Sequence, residues 1–284
     1  GVPQDDTEAL RWYRKAAEQG NAGGQFNLGY MYANGQGVAQ DYAEAIRWYR
    51  KAAGQGNADA QYNLGRMYAT GQGVAQDYAE AAKWWRKAAD RGDALAQYNL
   101  ALMYANGQGV AKSYGEATKW WRKAADQGDA RAQYNLALMY YKGQGVSQND
   151  AEAVRWHRKA ADQGHARAQF LLGYMYDRGQ GVPQDHAEAV KWWREAADQG
   201  DALAQYNVGR MYATGQGVAQ DYVEAHMWLT LAASRAGRED QKEFADARDL
   251  LAKIMSPQQM AEAQHRAREW RPKSDEKSGG RPMK

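Results

Sequence analysis

A tryptophan recurs every 36 residues along this chain, at Trp12, Trp48, Trp84, Trp120, Trp156, Trp192 and Trp228. The tetrapeptide Gly-Gln-Gly-Val keeps the same step, starting at Gly35, Gly71, Gly107, Gly143, Gly179 and Gly215, and Gly1-Val2 is the tail of another copy. No insertion or deletion interrupts the period. Such strictness means one small supersecondary unit copied many times, no copy able to bury its apolar face alone. The period sets a partial repeat over 1–21, holding a second helix only, and six full units over 22–237 starting at Ala22, Ala58, Ala94, Ala130, Ala166 and Ala202. Capping helices are expected over 238–270, and a disordered basic tail over 271–284.

Each unit reads as two helices and two turns. The second helix has a cap residue at Asp5, Asp41, Asp77, Ser113, Asn149, Asp185 and Asp221, with Glu8, Glu44, Glu80, Glu116, Glu152, Glu188 and Glu224 three places on. That spacing predicts a capping box in every copy. Ala81, Trp84, Ala88 and Ala89 fall on one helical face, and Gly56 and its equivalents end the helix. The first helix follows Asn21, Asn57, Asp93, Asp129, His165 and Asp201, with Ala60, Leu64, Met67 and Tyr68 expected inside. Gly29, Gly65, Ala101, Ala137, Gly173 and Gly209 share one mid-helix position. Glycine there costs about 1 kcal/mol against alanine, so the restriction to tiny residues marks a close helix crossing. The tryptophan column reads as core, with Trp85, Trp121 and Trp193, one residue later, half exposed. In the cap, Phe244, Ala247, Leu251 and Ile254 follow helical spacing, then Ser256-Pro257 opens a last helix carrying Met260, Ala263 and Ala267 toward Trp270.

The chemistry the chain can host is narrow. With no cysteine there is no disulfide, thiolate metal site or cysteine nucleophile. The tail holds five basic and two acidic residues, a surplus of three equal to that of the whole chain, so the rest of the chain, repeats and cap together, is net neutral and no basic nucleic-acid face is expected. None of the Gly-x-Gly turns is followed directly by Lys-Ser/Thr, and they sit where helices end, so they read as turns and not as phosphate loops. His157, His165, His186, His226 and His265 show no ligand spacing for a metal. No catalytic residue, cofactor or metal is expected. No apolar run is long enough to span a membrane. The chain begins inside a repeat turn, so the native product is expected to extend upstream, where any export signal would lie; periplasm and cytoplasm both stay open.

The pattern Ala-x-Ala-Gln-Tyr-Asn-Leu-Gly-x-Met-Tyr-x-x-Gly-Gln-Gly-Val, followed by Asp-Tyr-x-Glu-Ala-x-x-Trp-x-x-Lys-Ala-Ala, resembles the Sel-1-like repeats, relatives of the tetratricopeptide repeat. The resemblance spans about residues 1–237 and implies an all-α, right-handed superhelical solenoid of αα-hairpins with a C-terminal helical cap, its concave side lined by first helices. It implies a non-enzymatic adaptor, a bacterial source, and in some members an immunity protein that masks a secreted toxin. The alternative it carries is β-lactam binding or a β-lactamase-like activity, as in a cysteine-rich branch of the family.

Positions that vary between copies are free to be specific. Counted from Ala22 and its equivalents, positions 2, 9, 12 and 13 of the first helix vary, and 2, 9 and 13 share a face. The related tetratricopeptide arrays use this face as a ligand groove. The residues that would bind are Tyr30, Arg66, Leu95, Leu102, Arg131, Leu138, Tyr141, Lys142, Arg167, Tyr174, Arg178 and Arg210. Leu95, Leu102, Leu138 and Tyr141 are expected to form an apolar centre flanked by cations. The expected partner is a protein or peptide with an apolar anchor bordered by acidic side chains, bound by a monomeric array.

Overall fold

The computed structural model describes residues 5–273. Among them lie fifteen helices: α1 (Asp6–Glu18), α2 (Ala22–Asn34), α3 (Tyr42–Gly54), α4 (Ala58–Thr70), α5 (Tyr78–Asp90), α6 (Ala94–Asn106), α7 (Tyr114–Asp126), α8 (Ala130–Lys142), α9 (Asp150–Asp162), α10 (Ala166–Arg178), α11 (His186–Asp198), α12 (Ala202–Thr214), α13 (Tyr222–Arg235), α14 (Arg238–Ala252) and α15 (Pro257–Glu269). The described residues contain no strand, and the fold is an all-α repeat solenoid. The chain divides into two compact units, residues 1–132 with 144–146 and residues 133–143 with 147–284. Each is a stack of helix pairs.

The turns form as the sequence dictates. Gly35 and its equivalents close the first helices in the left-handed region, where glycine alone carries no Cβ penalty. The second glycine of each Gly-Gln-Gly-Val is needed for approach as well: a Cβ on Gly109 would lie 2.2 Å from the Tyr78 carbonyl oxygen, at the start of α5. Each such turn rests on the first turn of the preceding second helix.

The N-caps form, but the capping box is only half made. Asp41 Oδ1 accepts from the amides of Ala43 and Glu44, and Asp77 does the same for Ala79 and Glu80. The reciprocal bond from glutamate to the cap amide is absent, because the Asp41 amide donates to the Tyr32 carbonyl and that of Asp77 to Tyr68. The glutamates pair along the helix instead, Glu44 with Arg47, Glu152 with Arg155 and Glu188 with Lys191. A full capping box occurs at Ser256 and Gln259.

The tryptophans correct the sequence reading. Trp85, Trp121 and Trp193, expected half exposed, are fully buried, while Trp84 is half-buried and Trp12 is 54% exposed. The later position is the one that faces the small residue of the paired helix. A Cβ on Gly65 would lie 2.4 Å from Trp85 Cδ1, one on Gly173 would lie 2.6 Å from Trp193 Cδ1, and Gly29 faces Tyr49 likewise. The Trp85 and Trp193 indoles donate to the carbonyls of Tyr62 and Phe170, both at 3.1 Å. In the 36-residue column Trp48, Trp120, Trp156, Trp192 and Trp228 are buried as expected, and Lys51, Lys87, Lys123 and Lys159 lie over Trp48, Trp84, Trp120 and Trp156 at 4.0–4.2 Å.

Two polar ladders join the helices. Arg14 donates to the Tyr32 hydroxyl, Arg50 to Tyr68, Arg86 to Tyr104 and Arg194 to Tyr212, each 18 residues on. A buried glutamine four residues into the first helix makes the other. Gln25 Nε2 donates to the Ala17 carbonyl (3.2 Å), and Gln25 Oε1 accepts from Gln55 (2.8 Å). The pattern returns at Gln97 with Gln127 and at Gln169 with Gln199. Where the outer partner is Arg91 or Arg235, the buried Oε1 of Gln61 or Gln205 has no partner.

In the second unit α14 and α15 pack on α13, and Phe244 stacks on Tyr206 at 4.3 Å. Ile254 is exposed, not buried as its spacing suggested, because α14 ends at Ala252 and leaves it in the turn before Ser256-Pro257. Arg271 to Lys273, read as the start of the tail, are docked: the Lys273 amide and ammonium both bond Asp198, and Trp270 lies edge-on to Trp228. The rest of that tail, 274–284, is outside the described residues.

Three outcomes follow from this packing. Trp85→Ala costs about 3–5 kcal/mol, whereas Trp12→Ala stays within about 0.5 kcal/mol; denaturant titration measures both. Arg91→Gln supplies the missing donor to Gln61 and raises stability by about 1 kcal/mol, read as a shift of the unfolding midpoint. His157 takes the buried position of Trp85, and burial holds its pKa down at about 3 against 6.5 in the unfolded chain. Its neutral ring is the folded form, so its contribution is whole above pH 6.5 and drains as pH falls toward 3. The stability advantage of His157→Trp over the unmodified chain therefore widens between pH 7 and pH 4; an advantage independent of pH would refute this.

Candidate protein-binding surface

The first helices present one face built from positions 2, 5, 6, 9 and 13. In the first unit, Leu95 is 42% exposed and Arg66 is exposed, while Tyr30 and Leu102 are half-buried. Arg131 is exposed but engaged: it bonds Asp129 at 2.7 Å and lies over the Tyr98 ring at 4.3 Å. The bond to Asp129 raises its pKa and fixes its charge.

In the second unit, Leu138, Tyr141 and Tyr174 are half-buried, and Lys142, Arg167, Arg178 and Arg210 are exposed. Arg178 lies over Tyr174 at 5.8 Å with its Nε 3.5 Å from Asp177, and Arg210 lies over Tyr206 at 5.8 Å. His186 Nδ1 and Asp177 Oδ1 are 3.0 Å apart. Leu95 and Leu102 thus belong to one unit and Leu138 and Tyr141 to the other.

Sequence reasoning missed a part of this face. Phe26, Tyr62 and Tyr98 in the first unit, and Tyr134, Phe170 and Tyr206 in the second, recur at position 5 and are half-buried. Asn27, Asn63 and Asn99, and in the second unit Asn207, follow at position 6, also half-buried. Position 5 is always an aromatic ring and position 6 is asparagine in five of six copies, so a comparison that looks for variation passes over both. The signal was the spacing: positions 5 and 6 are one turn from 2 and 9 and must share their face. Burial raises the Tyr134 and Tyr206 pKa values, keeping both as neutral hydroxyls, and Tyr206 donates to Glu243 at 2.9 Å.

The face combines half-exposed rings, amides and guanidinium groups, the side chains that recognise polypeptide. Among the described residues no three His, Asp or Glu side chains stand close enough to hold a metal, and no helix is long and apolar enough to cross a membrane.

The Sel1 repeat family model matches residues 1–21, 22–57, 58–93, 94–129, 130–165, 166–201 and 202–236. A Sel1 repeat protein from Oxalobacter formigenes is 35% identical, with a TM-score of 0.69 over 77% of this chain and 89% of that one. A protective antigen of uropathogenic Escherichia coli strains that displays the same repeat fold is 28% identical, with a TM-score of 0.53 over 95% of this chain and 80% of that one. No curated protein matches the chain. Sel1 repeat proteins are protein-interaction scaffolds. With its repeats matched from residue 1 to residue 236, the chain belongs to the Sel1 repeat family.

Proposed function

We propose that the chain is a non-enzymatic adaptor that binds a protein or peptide on its first-helix face. The observation that supports this most is the contrast between copies: the residues that build the helix pairs repeat, while position 9 on the exposed face runs through Tyr30, Arg66, Leu102, Leu138, Tyr174 and Arg210. A surface that served packing alone would have no use for such spread. Leu95, exposed beside cations and rings, supplies the kind of apolar anchor that interfaces bury. The partner presents an apolar side chain bordered by carboxylates. Neutralising a secreted toxin is one form of this reading, taken from the family resemblance.

The test is affinity capture with mass spectrometry, comparing the unmodified chain with the double variant Leu102→Asp and Leu138→Asp. The variant loses the captured partner and keeps its helical circular dichroism. Unchanged capture by a folded variant would end this reading, and a toxin among the proteins captured would identify the finer role.

A further inference from the structure

The edges of the helix pairs differ between repeats in one place. At four of the six pairs, positions 12 and 13 are Ala33-Asn34, Ala69-Thr70, Ala105-Asn106 and Ala213-Thr214, and the next helix starts with Tyr42, Tyr78, Tyr114 or Tyr222. Three of these edges satisfy themselves. Asn34 donates to the Tyr30 carbonyl (2.8 Å), and Thr70 and Thr214 donate to the carbonyls of Arg66 and Arg210 (3.0 Å each). Gln40 bonds both the Ala33 carbonyl and the Tyr42 hydroxyl, and Gln76 does so with Ala69 and Tyr78.

The two pairs α8–α9 and α10–α11 exchange the side chains of this edge together, although Gln184 still donates to the Asp177 carbonyl (2.7 Å). They carry Tyr141-Lys142 with Asp150, and Asp177-Arg178 with His186. All six side chains lie in the second unit, and the Tyr141 hydroxyl reaches Gln180 in the turn after α10 at 3.5 Å, so the two edges adjoin. The carboxylates are already engaged: Asp177 by His186 at 3.0 Å and Arg178 at 3.5 Å, Asp150 by the Gln148 amide at 3.3 Å. Lys142 is exposed and forms no ion pair among the described residues, and Arg178 is 63% exposed. The first-helix face of this unit also carries Arg167 and Arg210. Against these four cations stand Asp177, engaged by His186 and Arg178, and Glu243, bonded by Tyr206, so the charge of the face is positive.

From this we infer that the edge made by Tyr141, Lys142, Asp177, Arg178 and His186 is the specificity site of the array, and that it takes an acidic peptide segment of the partner. The inference rests on the protein-binding reading above and locates it. Lys142 and Arg178 meet the partner's carboxylates, Tyr141 and Tyr174 offer ring faces beside them, and the His186–Asp177 pair holds Asp177 away from the incoming acid.

The experiment uses a phage-displayed random dodecapeptide library panned on the full chain. One variant restores the residues of the other repeats: Tyr141→Ala, Lys142→Asn, Asp177→Ala, Arg178→Thr and His186→Tyr. These residues already fold elsewhere in the array, and a single Lys142→Glu variant serves as a milder second test. The unmodified chain enriches peptides richer in Asp and Glu than the starting library. An enriched peptide, labelled and titrated by fluorescence anisotropy, loses at least about tenfold in affinity on either variant, and stays within about twofold on Trp12→Ala, at an exposed ring outside the candidate face. Acidic peptides bound equally by the restored variant would overturn the site and leave the protein-binding reading standing. Absence of acidic enrichment on the unmodified chain would overturn the partner class. So would random single-stranded DNA bound through the same residues.

Discussion

The contact between a large side chain of one helix and a glycine or alanine of its pair holds the array together. Tyr49 over Gly29, Trp85 over Gly65 and Trp193 over Gly173 bring two helices of thirteen residues close enough for their alanines to mesh. Helices this short have little stability of their own in water, so each is helical because it is packed. The glycine is a local cost that the ring above it repays, since a Cβ there would displace an indole already bonded to the opposite backbone. Where the position holds alanine, the ring opposite is Trp121 or the smaller His157.

The period, the turns and the N-caps were legible because each depends on a few consecutive residues. What escaped depends on partners distant in sequence. Glu44 stands where a capping box wants it, yet the Asp41 amide is taken by the Tyr32 carbonyl nine residues back. Trp84 and Trp85 are adjacent, and periodicity could not say which points at the neighbouring helix; the tiny residue at Gly65 held that information once the register of the pair was known. The glutamine ladder was hidden because a fixed polar residue looks like surface, although Gln25, Gln97 and Gln169 are buried and answered by Gln55, Gln127 and Gln199. On the candidate binding face the varying positions stand out in the sequence, while rings such as Tyr62 and Tyr98 do not, because a constant position gives no contrast between copies.

Function in such a molecule separates cleanly from architecture. Residues that repeat build the helix pairs, and departures from the repeat fall in the core, as at His157, at the ends, or on the exposed edges. Trp270 and Lys273 belong to an end: they settle on Trp228 and Asp198, and the residue near Asp198 is Glu195 where five other second helices carry Lys15, Lys51, Lys87, Lys123 and Lys159. Tyr141, Lys142, Asp177, Arg178 and His186 belong to neither the core nor an end.

The two polar ladders have a consequence for how such a chain changes over generations. Arginine finds its tyrosine 18 residues ahead, and glutamine finds its partner 30 residues ahead. Cut out one period, or copy one in, and every donor still meets an acceptor of the same kind at the same distance. Length is therefore a nearly free variable for this architecture, adjustable by unequal recombination without a new fold having to be found. The Arg91 and Arg235 steps, where the glutamine goes unanswered, are the places where such a splice would leave a scar.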